Sequence, residues 1–196
     1  MAYLTLRDVR QAFERSQRRR PIRKTAGQVL KEEVASATDT DHFDVFLSHC
    51  IADADLIAGV KAYLEEQGQT VYVDWVVDNH LERQLVTPKT ADLLRQRMRQ
   101  SDSMVFATSE SSPNSKWMPW ELGYFDGMRQ GRIAVLPLVA TEGGSFKGQE
   151  YLGLYPTVEK FRYENTIQTF VTKGAGSRTY MTLGSFRQGS KAYQTF

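Results

Sequence analysis

Phe43-Asp44-Val45-Phe46-Leu47-Ser48 is a short, nearly continuous apolar run, and Leu56, Val60, Tyr63 and Leu64 then recur at helical spacing before Gly68. A strand of this length followed by an amphipathic helix and a glycine cap is one βα unit. The unit repeats. Val71-Tyr72-Val73-Asp74-Trp75 is a second strand, and a polar loop leads to Thr87-Pro88, suited to the N-cap and first position of a helix carrying Ala91, Leu94 and Met98 on one face. Met104–Ala107 is a third strand, Trp117–Met128 a helix closed by Gly131, and Ile133–Val139 a fourth strand. Strands that are apolar on both faces and separated by helices predict an α/β fold with a parallel sheet covered on both sides.

Outward from this region the pattern weakens. Eight of the 14 glycines fall after Ala140. Thr157–Phe161 reads as a fifth, edge strand, Ile167, Phe170 and Val171 suit a brief helix, and 173–196 reads as a glycine-containing tail with Tyr180, Met181, Leu183 and Phe186 available for packing. Towards the N-terminus, Leu6, Val9 and Phe13, and then Ala26, Val29, Leu30 and Val34, predict two short helices broken near Pro21. Ala35–Asp41 has the composition of a linker. The expected organisation is therefore a basic helical arm and linker over 1–40, a domain over 41–172 and a tail over 173–196.

Composition narrows the function. The 196 residues carry 25 Lys+Arg against 23 Asp+Glu, a net charge of +2 that excludes an all-over basic nucleic-acid binder. The excess is local: residues 1–37 hold nine basic and four acidic residues, and a charge run of this kind is usually a solvated face. The longest apolar run, Ile133–Ala140, is far short of the roughly 20 residues that span a bilayer, so neither membrane nor nucleic acid is an expected partner. With Cys50 alone no internal disulfide can form, and the expected location is cytoplasmic. The three histidines (His42, His49, His80) and Cys50 show no ligand spacing, so no metal is expected. Cys50 is read as a small residue at a helix start, with a nucleophilic role beside His49 as the weaker alternative. Gly-x-Gly-x-x-Gly and Walker loops are absent.

In a doubly wound sheet ligands sit beyond the carboxyl ends of the strands. The places to inspect are Ser48-His49-Cys50, Asp74-Trp75 with the loop to Val86, Thr108–Ser112, and the loop Thr141–Gly148, whose glycines are read as loop punctuation. Glu121 adds a chemical signal. On a helix over Trp117–Met128 it falls in one sector with Trp117, Tyr124, Phe125 and Met128, and a carboxylate among aromatics loses hydration at a cost of several kcal/mol unless it is paired or protonated. Such groups are often functional. The plainer alternative is a carboxylate paired with a buried donor.

Two boxes carry a resemblance. Phe43–His49 resembles the first signature of TIR (Toll/interleukin-1 receptor) domains, and Ser115-Lys116-Trp117-Met118-Pro119-Trp120-Glu121-Leu122 resembles their Ser-x-Trp-x-x-x-Glu-Leu segment. The resemblance extends over about residues 41–172 and implies a flavodoxin-like five-stranded parallel sheet with helices on both faces, to which the N-terminal helical arm is added. TIR domains include scaffolds and enzymes that cleave NAD+ at the nicotinamide–ribose bond. In the enzymes a glutamate matching Glu121 is essential, and a tryptophan matching Trp117 lies in the same pocket. The resemblance thus implies Glu121 as the catalytic residue and Phe46, Ser48, His49, Asp74, Trp75, Ser115 and Trp117 as substrate-binding, with NAD+ as substrate and no cofactor beyond it. The loop Val76–Arg83 lacks the Arg-Asp…Pro-Gly box of receptor and adaptor TIR domains, and the chain is more similar to stand-alone bacterial TIR proteins of anti-phage defence, of the Thoeris kind. That implies self-association through TIR domains and a downstream effector that senses a nucleotide product, either ADP-ribose or a cyclic or rearranged form. The alternatives are a non-catalytic scaffold acting by homotypic TIR contacts and a sensor that binds a nucleotide without cleaving it.

Overall fold

β2 (Phe43–Ser48) is an interior strand of the sheet, covered on both of its apolar faces. Val45 and Leu47 project to one side and Phe46 to the other, and all three are at most 1% exposed. The structure, a computed structural model, describes residues 1–49, 54–74, 87–109, 117–163, 166–174 and 176–195. Parallel to β2 run β3 (Val71–Val73) on one side and β4 (Ser101–Thr108) on the other. β5 (Ile133–Val139) and β6 (Thr157–Tyr163) continue outward from β4, also parallel. The order β3-β2-β4-β5-β6 is the doubly wound order of flavodoxin-like sheets, whose switch point lies between β2 and β4.

Beyond β6 the sheet changes direction. β7 (Thr166–Thr172) and β8 (Thr179–Thr182) add antiparallel strands, followed by β9 (Gln194–Thr195) at the edge. β6 is therefore an interior strand, and the helix expected around Ile167–Val171 is a strand instead. Ile167, Phe170 and Val171 imitate helical spacing, but Thr166, Ile167, Thr169, Val171 and Thr172 are β-branched and pair residue by residue with β6. The residues read as a tail contribute β8, the short helix α6 (Leu183–Arg187) and β9, with Met181, Leu183 and Phe186 in the core.

Two helical layers cover the sheet. On one face lie α1 (Leu6–Arg18), α2 (Ala26–Ser36) and α3 (Ala54–Glu66). On the other lie α4 (Pro88–Arg99) and α5 (Met118–Met128), whose Leu94, Met98, Leu122 and Phe125 pack on Phe46, Met104 and Phe106. The starts of α1, α2 and α4 are set by threonines. The Thr5 hydroxyl accepts from the Asp8 amide, Thr25 does the same for Gln28, and Thr87 for Thr90.

The basic N-terminal residues are built into this architecture. β1 (Leu4–Thr5) pairs with the end of β5 at Leu138 and Val139, and Ala2 exchanges backbone hydrogen bonds of 2.9 and 2.8 Å with Lys160 of β6. β5 and β6 pair only at Val135 and Thr157, so the first residues of the chain fill the gap where these strands diverge. Behind β1, α1 lies against α3 at Gly59, where a Cβ would stand 2.4 Å from the Val9 carbonyl oxygen. Part of the local charge is also paired: Arg15 binds Glu66 bidentately at 2.9 and 2.7 Å, and buried Lys61 meets Glu33 at 2.8 Å and Glu65. The linker is held by Arg97, which donates to the Thr38 and Ala37 carbonyls at 2.6 and 2.9 Å. Among the described residues no helix is long and apolar enough to cross a membrane, and no group of three His, Cys, Asp or Glu side chains could hold a metal ion.

Candidate functional site

Ser48 ends β2 at the switch point of the sheet, fully buried, and its Oγ donates to Glu121 Oε2 at 2.6 Å. Glu121 sits in the first turn of α5 and is 3% exposed. These two residues are 73 positions apart in the chain, and only the docking of α5 on the sheet joins them. A hydroxyl donating to a carboxylate at this distance is a short, charge-assisted hydrogen bond, which offsets part of the desolvation of the buried group.

The buried stripe of α5 is Met118, Glu121, Leu122 and Phe125. It is rotated from the sector read off the sequence. Trp117, Tyr124 and Met128 lie at its margin, half-buried, while Pro119 and Gly123 face outward. Trp117 precedes the helix as its N-cap without a side-chain cap bond, and its carbonyl accepts the Glu121 amide at 2.9 Å. Its ring meets Trp120 edge-on at 5.5 Å, Trp120 stacks on Tyr124 at 5.9 Å, and the Arg95 guanidinium of α4 lies over both of the latter rings at 5.4 and 5.9 Å. Trp120 and Arg95 are not among the residues picked out by sequence reasoning. Their role is to hold the aromatic margin of α5, a cation–π contact between separate helices that no local pattern reveals.

The other expected site residues divide into three groups. His49 follows Ser48 and is 7% exposed. Phe46 is fully buried beneath Ser48 and stacks on Tyr72 at 5.7 Å, so it forms the floor on which the strand end rests. Asp74 lies just after β3, half-buried. Burial raises the Tyr72 hydroxyl well above its ordinary value, and the nearby Asp74 charge adds to this, which keeps Tyr72 neutral beside the site. Trp75 and Ser115, and with them Cys50 and His80, lie outside the described residues.

Beside this pair a cleft of about 600 Å³ opens at the carboxyl ends of β4 and β5. Its walls include Phe106, Thr108, Val139, Ser145, Phe146 and Lys147. The loop Thr141–Gly148 is one of the four strand-end segments marked by the sequence.

The TIR domain family matches residues 45–166, a span that runs from β2 to the start of β7 and takes in the Ser48–Glu121 pair. This chain belongs to the TIR-domain family. Among curated proteins, the TIR protein is 42% identical over 164 residues to "Probable 3' cyclic ADP-D-ribose synthase ThsB'" of Bacillus cereus (strain MSX-D12), covering 83% of this chain and 84% of that relative. It is also 34% identical over 83 residues to "Putative cyclic ADP-D-ribose synthase TIR2" of Cytobacillus dafuensis, covering 42% of this chain and 22% of that protein. The mostly parallel sheet, with helices on both faces, agrees with the flavodoxin-like fold of TIR domains.

Proposed function

We propose that this TIR protein cleaves NAD+ at the nicotinamide–ribose bond and closes the ADP-ribosyl fragment into a cyclic ADP-ribose, a nucleotide signal in bacterial anti-phage defence. The observation that carries the reading is the buried Glu121 carboxylate held by Ser48 at the carboxyl end of β2, beside the switch point of the sheet. The names of the two relatives, both cyclic ADP-D-ribose synthases, support the same chemistry.

The nicotinamide of NAD+ carries positive charge and leaves with the electron pair of its bond to C1 of the ribose, so little proton transfer is needed. Departure creates an oxocarbenium-like ribose. Glu121 holds the ribose hydroxyls and stabilises the positive charge that develops, which combines positioning with electrostatic stabilisation. Ser48 fixes the carboxylate through its hydroxyl and acts as a positioning residue. Trp117 stacks on a flat ring of the substrate, His49, Asp74, Trp75 and Ser115 complete the binding surface, and Phe46, buried beneath Ser48, supports it from below instead of touching substrate. A hydroxyl or ring nitrogen of the adenosine half then attacks C1 and closes the ring; where a hydroxyl attacks, its proton goes to solvent. Attack by water gives ADP-ribose instead. NAD+ is the substrate, and no separate cofactor takes part. The protein acts in the cytoplasm, associates with itself through TIR contacts, and its product is read by a downstream effector.

The test is incubation of concentrated protein with NAD+ beside Glu121→Gln, with chromatography and mass detection of products. Release of nicotinamide and a cyclic product, both lost in Glu121→Gln, is the expected result. Equal turnover by Glu121→Gln overturns the assignment of Glu121 as the catalytic residue, and no turnover by the wild type under crowding overturns the enzyme reading and favours the scaffold.

A further inference from the structure

We propose that the cleft at the carboxyl ends of β4 and β5 holds the adenosine-diphosphate half of the dinucleotide, with Lys147 meeting its phosphates. The proposal rests on the reading of Ser48 and Glu121 as the nicotinamide–ribose site and adds the place of the other half.

Position is the first argument. Ser48 pairs in register with Phe106 of β4, and Phe106 lines the cleft. Paired residues of parallel strands project to the same face, so the cleft opens on the α5 side of the sheet, and its nearest lining residue, Phe106, is one strand and about 5 Å from Ser48. A single dinucleotide reaches both places. The second argument is chemistry. Among the described residues Lys147 is the one charged residue of the lining, joined by the hydroxyl-bearing Thr108, Ser109, Thr141 and Ser145. A lysine ammonium flanked by hydroxyls is suited to a diphosphate, and Phe106 and Phe146 supply flat apolar surface for a base. The volume of about 600 Å³ lies in the range of ordinary ligand sites.

The loop that makes the wall is shaped in advance. Gly143 has φ 77°, and the Gly144 amide donates to the Thr141 carbonyl at 3.0 Å. A Cβ at Gly144 would stand 2.9 Å from that carbonyl oxygen, so the turn requires glycine at both places. Tyr3 braces Phe146 edge-on at 6.3 Å, and Leu4 and Thr5 pair with Leu138 and Val139 directly below. The N-terminal strand thus supports the cleft wall. An adenosine held over Phe106, one strand from Ser48, stays near C1 of the ribose, which ring closure needs and hydrolysis does not.

ADP is the probe, titrated calorimetrically into the full-length wild type, Lys147→Ala, Ser145→Trp and the exposed control Lys31→Ala, with circular dichroism confirming the fold of each. ADP is expected to bind the wild type and Lys31→Ala equally, and to bind Lys147→Ala and Ser145→Trp about tenfold or more weakly. Adenosine is expected to lose much less than ADP in Lys147→Ala. Equal ADP affinity in all four proteins, or no ADP binding to the wild type at millimolar concentration, overturns the proposal. Because ADP binding needs no turnover, an active Glu121→Gln together with cleft-dependent ADP binding would remove the catalytic reading alone.

Discussion

Replacing Ser48 by alanine removes the donor at 2.6 Å from Glu121 Oε2 while leaving every neighbouring atom of the strand in place. A hydrogen bond to a charged group contributes about 1.5–3 kcal/mol, against about 0.5–1.5 kcal/mol for a neutral pair. Both residues are nearly or fully buried, so water replaces the lost bond poorly. At pH 7 the expected cost of Ser48→Ala is therefore about 2 kcal/mol in the wild-type background. Glu121→Gln keeps a carbonyl acceptor but not the charge, so in that background Ser48→Ala should cost about 1 kcal/mol. The double-mutant cycle then yields a coupling of about 1 kcal/mol. Urea unfolding measures it: with a slope of about 2 kcal/mol per molar, Ser48→Ala moves the midpoint down by about 1 M, with an unchanged slope. Equal costs in the two backgrounds, within about 0.3 kcal/mol, would refute the reasoning, because the Ser48–Glu121 bond would then draw nothing from the carboxylate charge.

Three further outcomes are expected. Gly59→Val forces a side chain into the Val9 backbone and should cost about 1–3 kcal/mol, whereas Gly123→Ala, in an open part of α5, should gain up to about 1 kcal/mol; thermal melts compare them, and a Gly59→Val protein as stable as the wild type contradicts the close approach. Burial alone would raise Asp8, but Lys160 at 2.6 Å together with the Thr5 hydroxyl and amide hold it below its ordinary value of 3.8. A lowered carboxylate stabilises the fold above its unfolded value and loses that contribution as pH falls through the folded one, so Asp8→Asn should flatten the acid side of the stability–pH curve below about pH 4 and leave the slope near neutrality unchanged. Trp117→Ala should raise KM for NAD+ about 5- to 150-fold, the range expected for one lost stacking contact, while moving the urea midpoint less than Ser48→Ala does.

Glu159 gives the opposite sign to Asp8. Burial raises it, only partly countered by the Thr172 hydroxyl at 2.7 Å and the N-terminal ammonium, so its favourable contribution is complete at low pH and is lost as pH rises through the raised value. The same β6 strand carries Lys160, which pairs with Asp8 on the other face of the sheet. Nothing in the order Thr157–Tyr163 distinguishes these alternate positions by partner, because the partners are Thr172 from β7 and Asp8 from α1.

Much of the parallel core was legible in the sequence because β2, β3, β5 and the later half of β4 are apolar on both faces and the helices between them carry an apolar side. Those are local properties with periods of 2 and 3.6 residues, readable without knowing the neighbours. The same locality explains why Glu121 stood out, as a carboxylate in an apolar helix sector. It also explains the misreading of Thr166–Thr172, where three apolar residues at helical spacing outweighed the β-branched ones until pairing with β6 decided the matter. The position of β1 had no local signature: Leu4 and Thr5 become a strand only because β5 and β6 part beyond Val135 and leave unpaired backbone for them to satisfy. The sequence by itself determined the α/β class, the succession of strands and helices in its central units and the identity of the acidic residue. Tertiary structure alone decided that Ser48 would reach Glu121 and that the N-terminal strand would support the loop over the cleft. Contacts across 73 and more than 130 residues depend on how helices and strands dock, and docking is set by the packing of surfaces that no single segment contains.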